Sequence, residues 1–184
     1  GNLADFVLID KDGAVKKGSE IDYNGAPGGY AADPTEVVNY VSKHDNQTLW
    51  DMISYKAAQE ADLDTRVRMQ AVSLATVMLG QGIAFDQQGS ELLRSKSFTR
   101  DSYDSGDWFN RVDYSLQDNN YNVGMPRSSD DGSNYDIIAR VKDAVATPGE
   151  TELKQMTAFY QELTALRKSS PLFTLGDGAT VMKR

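Results

Sequence analysis

His44 is the only histidine in the chain, and Asp45 follows it directly. The pair closes a β-branched, aromatic run, Val37-Val38-Asn39-Tyr40-Val41, which reads as a strand. In α/β folds the active site lies at the carboxyl ends of such strands. From chemistry alone two readings stay open: a strand-end site, or a plain loop in which Asp45 caps the helix that starts near Thr48. A second cluster lies further on, where Arg94, Lys96, Asp101, Tyr103, Asp107 and Trp108 fall in one stretch. That mixture suits a sugar, because aromatic faces stack on its C–H side and charged groups bond its hydroxyls. It equally suits a surface loop pinned by Trp108 and Phe109.

Other chemistries are poorly supplied. One histidine and no cysteine exclude a usual zinc site, disulfides and cysteine nucleophiles. A Ser-His-Asp triad lacks an elbow motif and would need the same lone His44. Asp10-Lys11-Asp12-Gly13 and Asp130-Asp131-Gly132 are acidic, but neither continues into an EF-hand pattern, so each reads as a turn. The net charge of -8 argues against a nucleic-acid partner and suits a neutral substrate. The longest apolar stretch, around Ala71 to Leu79, is far short of a membrane span. Gly1-Asn2-Leu3-Ala4-Asp5 has no basic region followed by an apolar one, so it does not read as a signal peptide.

The elements that must position these residues follow from periodicity. Residues 5–36 read as irregular, with a turn at Asp12-Gly13 and a flexible or tightly turning loop at 25–29. The strand at 37–41 reads as buried on both faces. A short helix spans about Thr48 to Ala58. The clearest helix carries Leu63, Val67, Ala71, Leu74 and Met78, with Asp62 or Asp64 as cap and Gly80 as stop. Ile83-Ala84-Phe85 is a second buried strand, so the order is a βαβ unit with parallel strands. A polar stretch of about 45 residues follows, and its aromatics argue against disorder. Helices are expected at 134–145 and from Thr147, where Thr147, Pro148 and Glu150 fit N-cap, N1 and N3. Leu153, Met156, Tyr160, Leu163 and Leu166 form the buried stripe of the latter. Ala179-Thr180-Val181-Met182 reads as the start of a strand.

Several of these segments resemble a known family. Val38 to Asn46 resembles the His-Asp segment after the seventh barrel strand of the α-amylase superfamily. Ile83 to Lys96 resembles the eighth strand and its loop. Asp101-Ser102-Tyr103 and Gly106-Asp107-Trp108-Phe109-Asn110-Arg111-Val112-Asp113-Tyr114 are similar to a loop of pullulanases and limit dextrinases. The resemblance covers nearly the whole chain and is nearest to the large secreted pullulanases of enterobacteria.

The resemblance implies an α/β fold: part of a (β/α)8 TIM barrel, strands 7 and 8 with their helices, over 1–175, and the first strand of a C-terminal β domain over 176–184. Leu63, Leu74, Leu153 and Leu163 would then face absent elements. It implies retaining hydrolysis of α-1,6-glucosidic links, which needs a nucleophilic and an acid/base carboxylate. Neither of those two segments occurs here, so the chain alone is expected to be inactive. Asp45 matches the third carboxylate, a transition-state stabiliser, and His44 a hydrogen bond to the sugar. Asn46, Asp101 and Tyr103 match positions lining the substrate groove; Arg94 either joins them or braces the loop. The implied partners are an α-glucan and the remainder of the same polypeptide. No cofactor is implied with certainty, calcium in the intact enzyme is left open, and the implied placement is secreted or cell-surface in a Gram-negative bacterium. Within the superfamily an isoamylase or limit-dextrinase type is the alternative, and outside it a non-catalytic glucan-binding module.

Overall fold

The computed structural model describes residues 3–184. Gly1 and Asn2, which open the N-terminal segment weighed above, lie outside them. The chain divides into two compact units, one of Gly1–Asn39, Met78–Phe85 and Leu166–Arg184, the other of Tyr40–Val77 and Asp86–Ala165.

The first unit opens with two hairpins where irregular chain was expected. Strands β1 (Val7–Ile9) and β2 (Val15–Lys17) pair antiparallel, with Val7 opposite Lys17. Asp10 organises their turn: its carboxylate accepts from the amides of Asp12 at 2.9 Å and Ala14 at 2.8 Å. Lys16 lies 2.7 Å from the same carboxylate. The hydrogen bond from Lys16 is the main reason its pKa falls to about 2. Strands β3 (Asp22–Tyr23) and β4 (Ala26–Pro27) form the second hairpin. Its central residues, Asn24 and Gly25, have φ of 53° and 85°. Positive φ at both positions is what a twist-matched two-residue turn requires, and Asn-Gly is its strongest sequence signal.

Strands β5 (Val38–Asn39) and β6 (Ile83–Ala84) pair in parallel, with Val38 opposite Ile83. The expected parallel pairing is therefore present. The expected burial on both faces is not, since Val38 is 50% and Ile83 49% exposed. Every sheet is two strands wide, and the described residues form no closed barrel. The fold class is a mixture of helices and small sheets. Arg167 fixes the connection into β6: its guanidinium donates to the carbonyls of Met78 at 2.7 Å, Gly80 at 2.8 Å and Gly82 at 2.8 Å.

The second unit holds most of the core. Helix α1 (Leu49–Lys56) starts after Thr48, whose hydroxyl accepts from the amide of Asp51. Helix α2 (Leu63–Met78) is started by Asp62, whose carboxylate accepts from the Thr65 amide at 2.8 Å. Arg66, 1% exposed, ties the two together by donating to the carbonyls of Ile53, Ala58 and Ala61. Helices α3 (Ser128–Asp131) and α4 (Tyr135–Val141) are short, so Asp130-Asp131 lies in a helix rather than a turn. Helix α5 (Glu150–Ser169) begins later than Thr147. The Glu152 carboxylate accepts from the Gly149 amide at 2.8 Å, so the helix is capped at Gly149 by this one bond rather than by a reciprocal box at Thr147.

Trp50, Leu74, Phe98, Ile138, Leu153 and Met156 are each at most 1% exposed. Burying side chains of this size contributes about 1.5–3 kcal/mol each. Leu74, Leu153 and Leu163 therefore do not face absent elements: all three are buried within the chain, and Leu63 is half-buried. Within the stripe of α5, Tyr160 is half-buried and Leu166 is 46% exposed.

Residues 179–182 correct a further expectation. They belong to helix α6 (Gly178–Met182), not to a strand of a β domain. Asp177 accepts from both the amide (2.8 Å) and the hydroxyl (2.7 Å) of Thr180. That local cap outweighs the β propensity of Thr180 and Val181.

Candidate functional site

The loop after β5 carries the His-Asp pair. His44 has a side chain 87% exposed and Asp45 one 58% exposed, with His44 Nε2 3.3 Å from Asp45 Oδ1. Lys43 also ion-pairs with Asp45. The hydrogen bond from Lys43 is the largest of the effects holding the Asp45 carboxyl below its ordinary value; the charges of His44 and Lys96 act the same way, and partial burial opposes them. Asp45 is thus an ionised, solvent-facing carboxylate. It does not cap α1, because Thr48 does.

Asn46 adopts the left-handed region, with φ of 61°. Its side-chain oxygen accepts from Arg100 Nε at 3.3 Å. Asp45, Asn46, Arg100, Asp101, Ser129 and Asp130 line a cleft of about 460 Å³. Of the residues singled out in the sequence, Asp45, Asn46 and Asp101 meet at this cleft. Tyr103 is close in the chain but 94% exposed, and Asp101 accepts from its amide at 3.2 Å. Arg94 does not line the cleft. Its guanidinium donates to the carbonyls of Gln88 (3.0 Å) and Asn110 (2.8 Å), and its stem lies against Gly89. Of the two roles left open for Arg94, its contacts are those of a loop brace.

Sequence reasoning missed Arg100, which sits beside Asp101 and bonds Asn46. It also missed the buried carboxylates that hold the loop. Asp51, on the first turn of α1, is 0% exposed. It accepts from the Ser95 hydroxyl at 2.5 Å and the Lys96 amide at 2.9 Å. Burial raises its pKa, and those donors oppose the rise. Asp131, also 0% exposed, accepts from the Arg100 amide at 2.8 Å. The available signal was only that Asp51 stands among apolar neighbours, Trp50 and Met52-Ile53.

The rest of the long loop is pinned by amides. Asn119 donates to the Leu93 carbonyl at 2.8 Å, and Asn120 to the Trp108 carbonyl at 2.9 Å. Trp108 stacks on Phe109 with centroids 3.7 Å apart, and its ring leaves no room for a side chain at Gly124. Among the described residues no group of three or more His, Cys, Asp or Glu is placed to hold a metal ion. No helix among them is long and apolar enough to cross a membrane.

Fold and site together define a mixed α/β chain whose strand-to-helix loop presents an ionised carboxylate, an imidazole and an amide beside a polar cleft. Residues 116–184 match the family described as alpha-1,6-glucosidases, pullulanase-type, C-terminal. Over its full length the chain is 92% identical to a pullulanase of Klebsiella pneumoniae and covers 17% of that protein. It is 41% identical to chloroplastic pullulanase 1 of Arabidopsis thaliana and covers 19% of it. A crystal structure of Klebsiella pneumoniae pullulanase complexed with maltotriose matches 98% of this chain and 17% of that one, with a TM-score of 0.95 and 99% identity. Over its whole length the chain is thus similar to one part of these pullulanases. It spans less than a fifth of the length of these curated relatives.

Proposed function

We propose that the chain supplies one wall of the active site of a longer pullulanase-type hydrolase acting on α-1,6-glucosidic links in pullulan and branched dextrins. Strands β5 and β6 are the seventh and eighth of a (β/α)8 barrel that the remainder of the polypeptide completes. Retaining cleavage passes through an oxocarbenium-like transition state between a nucleophilic and an acid/base carboxylate. Those two groups come from the rest of the polypeptide, and Asp45 supplies fixed negative charge near the developing positive centre. His44 bonds a sugar hydroxyl, while Asn46, Asp101 and the exposed Tyr103 line the groove. The observation that carries this reading is the ionised, exposed Asp45, with Asn46 and Asp101 on the same cleft. The maltotriose bound by the Klebsiella pneumoniae relative supports a glucan as the ligand.

Asp45→Asn in the intact parent tests the proposal. Turnover of pullulan should fall by about 10²–10³-fold while the thermal unfolding temperature is retained. Normal turnover would sink the reading. The isolated chain should release no reducing ends from pullulan.

A further inference from the structure

The reading of Asp45 as a transition-state stabiliser raises the question of what holds an exposed loop carboxylate in place. A stabilising charge works only if it is fixed before the reaction, since errors near 1 Å can cost about 10²-fold. Lys43 and His44 touch Asp45, but both belong to the same loop and would move with it. The restraint must come from another element.

We infer that Lys96 is a positioning residue for Asp45, acting through the backbone of His44. Its ammonium donates to the His44 carbonyl at 2.9 Å, one peptide away from Asp45. The residue is 1% exposed. Its own backbone is fixed at the other end: the Lys96 amide donates to Asp51, and the Ser95 hydroxyl bonds the other oxygen of the same carboxylate. The Ser95 hydroxyl also accepts from the Ser97 amide at 2.8 Å, which tightens the turn. The relay therefore runs from the first turn of α1, through the 95–97 turn and the Lys96 side chain, to the catalytic loop.

Two further features fit positioning rather than simple packing. Among the described residues the Lys96 ammonium makes no ion pair within 4.0 Å. An unpaired buried cation is costly, and a neutral side chain of similar length would pack without that cost. Its charge also reaches Asp45, where it adds to the larger effects of Lys43 and His44. The Lys96 side chain thus both restrains the loop and favours the ionised state of the carboxylate it restrains.

The inference rests on the proposed role of Asp45, and a double-mutant cycle in the intact parent separates the two. Lys96→Met should lower kcat on pullulan by about 10–100-fold with KM changed by less than about threefold. Lys96→Gln, which keeps a donor without the charge, should recover part of that loss. It is also the deciding variant if Lys96→Met does not fold by thermal unfolding. In the Asp45→Asn background either substitution should lower the residual turnover by less than about threefold, because the group being positioned is already disabled. Unchanged kcat in folded Lys96→Gln and Lys96→Met, or an equal further loss in the Asp45→Asn background, would overturn the inference. Normal turnover of Asp45→Asn alone would instead remove the underlying reading.

Discussion

Residues 41–47 and 93–99 are both irregular, yet they face water in opposite ways. In the first, Val41 is 40% exposed and the His44 side chain 87% exposed. In the second, Ser95, Ser97, Phe98 and Thr99 are each 0% exposed. Both contain residues at positive φ: Asn46 at 61° in one, Ser97 at 50° and Phe98 at 71° in the other. Such backbone is held only where the surroundings over-determine it. In the buried stretch that determination comes from Asp51, Asn119 and an aromatic cluster. In the exposed stretch it comes from outside, through Lys96 and Arg100. Irregular chain thus divides here into scaffold, held by buried hydrogen bonds and ring contacts, and site, where His44, Asp45 and Asn46 keep their side chains at the surface.

Substitutions at three positions can break or sharpen that division. Phe98 lies between Tyr55, stacked at 6.0 Å, and Tyr121, edge-on at 5.0 Å. Phe98→Ala should cost about 3–5 kcal/mol in urea denaturation of the intact parent, and a loss below about 1 kcal/mol would show that the stretch is not scaffold. Asp86 lies upstream of the buried stretch, and burial raises its carboxyl from 3.8 to about 6. A raised folded-state pKa means the folded protein holds the proton more tightly, so stability is fullest below about pH 4 and declines as pH rises through about 6. Asp86→Asn removes this dependence. It should stabilise by about 1–2 kcal/mol at pH 7.5, after allowance for partial exposure, and by almost nothing at pH 4. An advantage that does not shrink on acidification would exclude the carboxylate as its origin. Asn46→Ala should cost about 1 kcal/mol, the left-handed penalty, with Asn46→Gly costing less. Equal losses in the two variants would mean that the bond to Arg100, not the backbone, is what Asn46 supplies.

The legibility of the molecule follows the same division. Helix α2 was readable because its apolar residues recur over four turns. The parallel pairing of β5 and β6 was readable from the βαβ order. Asp45, Asn46 and Asp101 were readable as a set only through resemblance, because local chemistry left Asp45 equally able to cap a helix. What was hidden shares one cause: it depends on hydrogen bonds between residues far apart in the chain. Asp51 reaches Ser95 and Lys96, and Asp131 reaches Arg100, with no periodicity to announce either. Local capping explains the other misreadings. Glu152 moved the start of α5, and Asp177 turned an apparent strand into α6. The Asn24-Gly25 hairpin was legible in principle, since its turn chemistry is written in two adjacent residues.

Arg167 has a consequence for how this region can vary. Three carbonyls spread over Met78 to Gly82 converge on one planar guanidinium, so the linker between α2 and β6 is measured against a rigid gauge. Inserting or deleting one residue there would put at least one carbonyl out of reach of the fork. Exposed turns such as Asp10–Gly13 have no such gauge. Across homologous chains, length variation should therefore collect at the hairpins and be nearly absent between Met78 and Ile83.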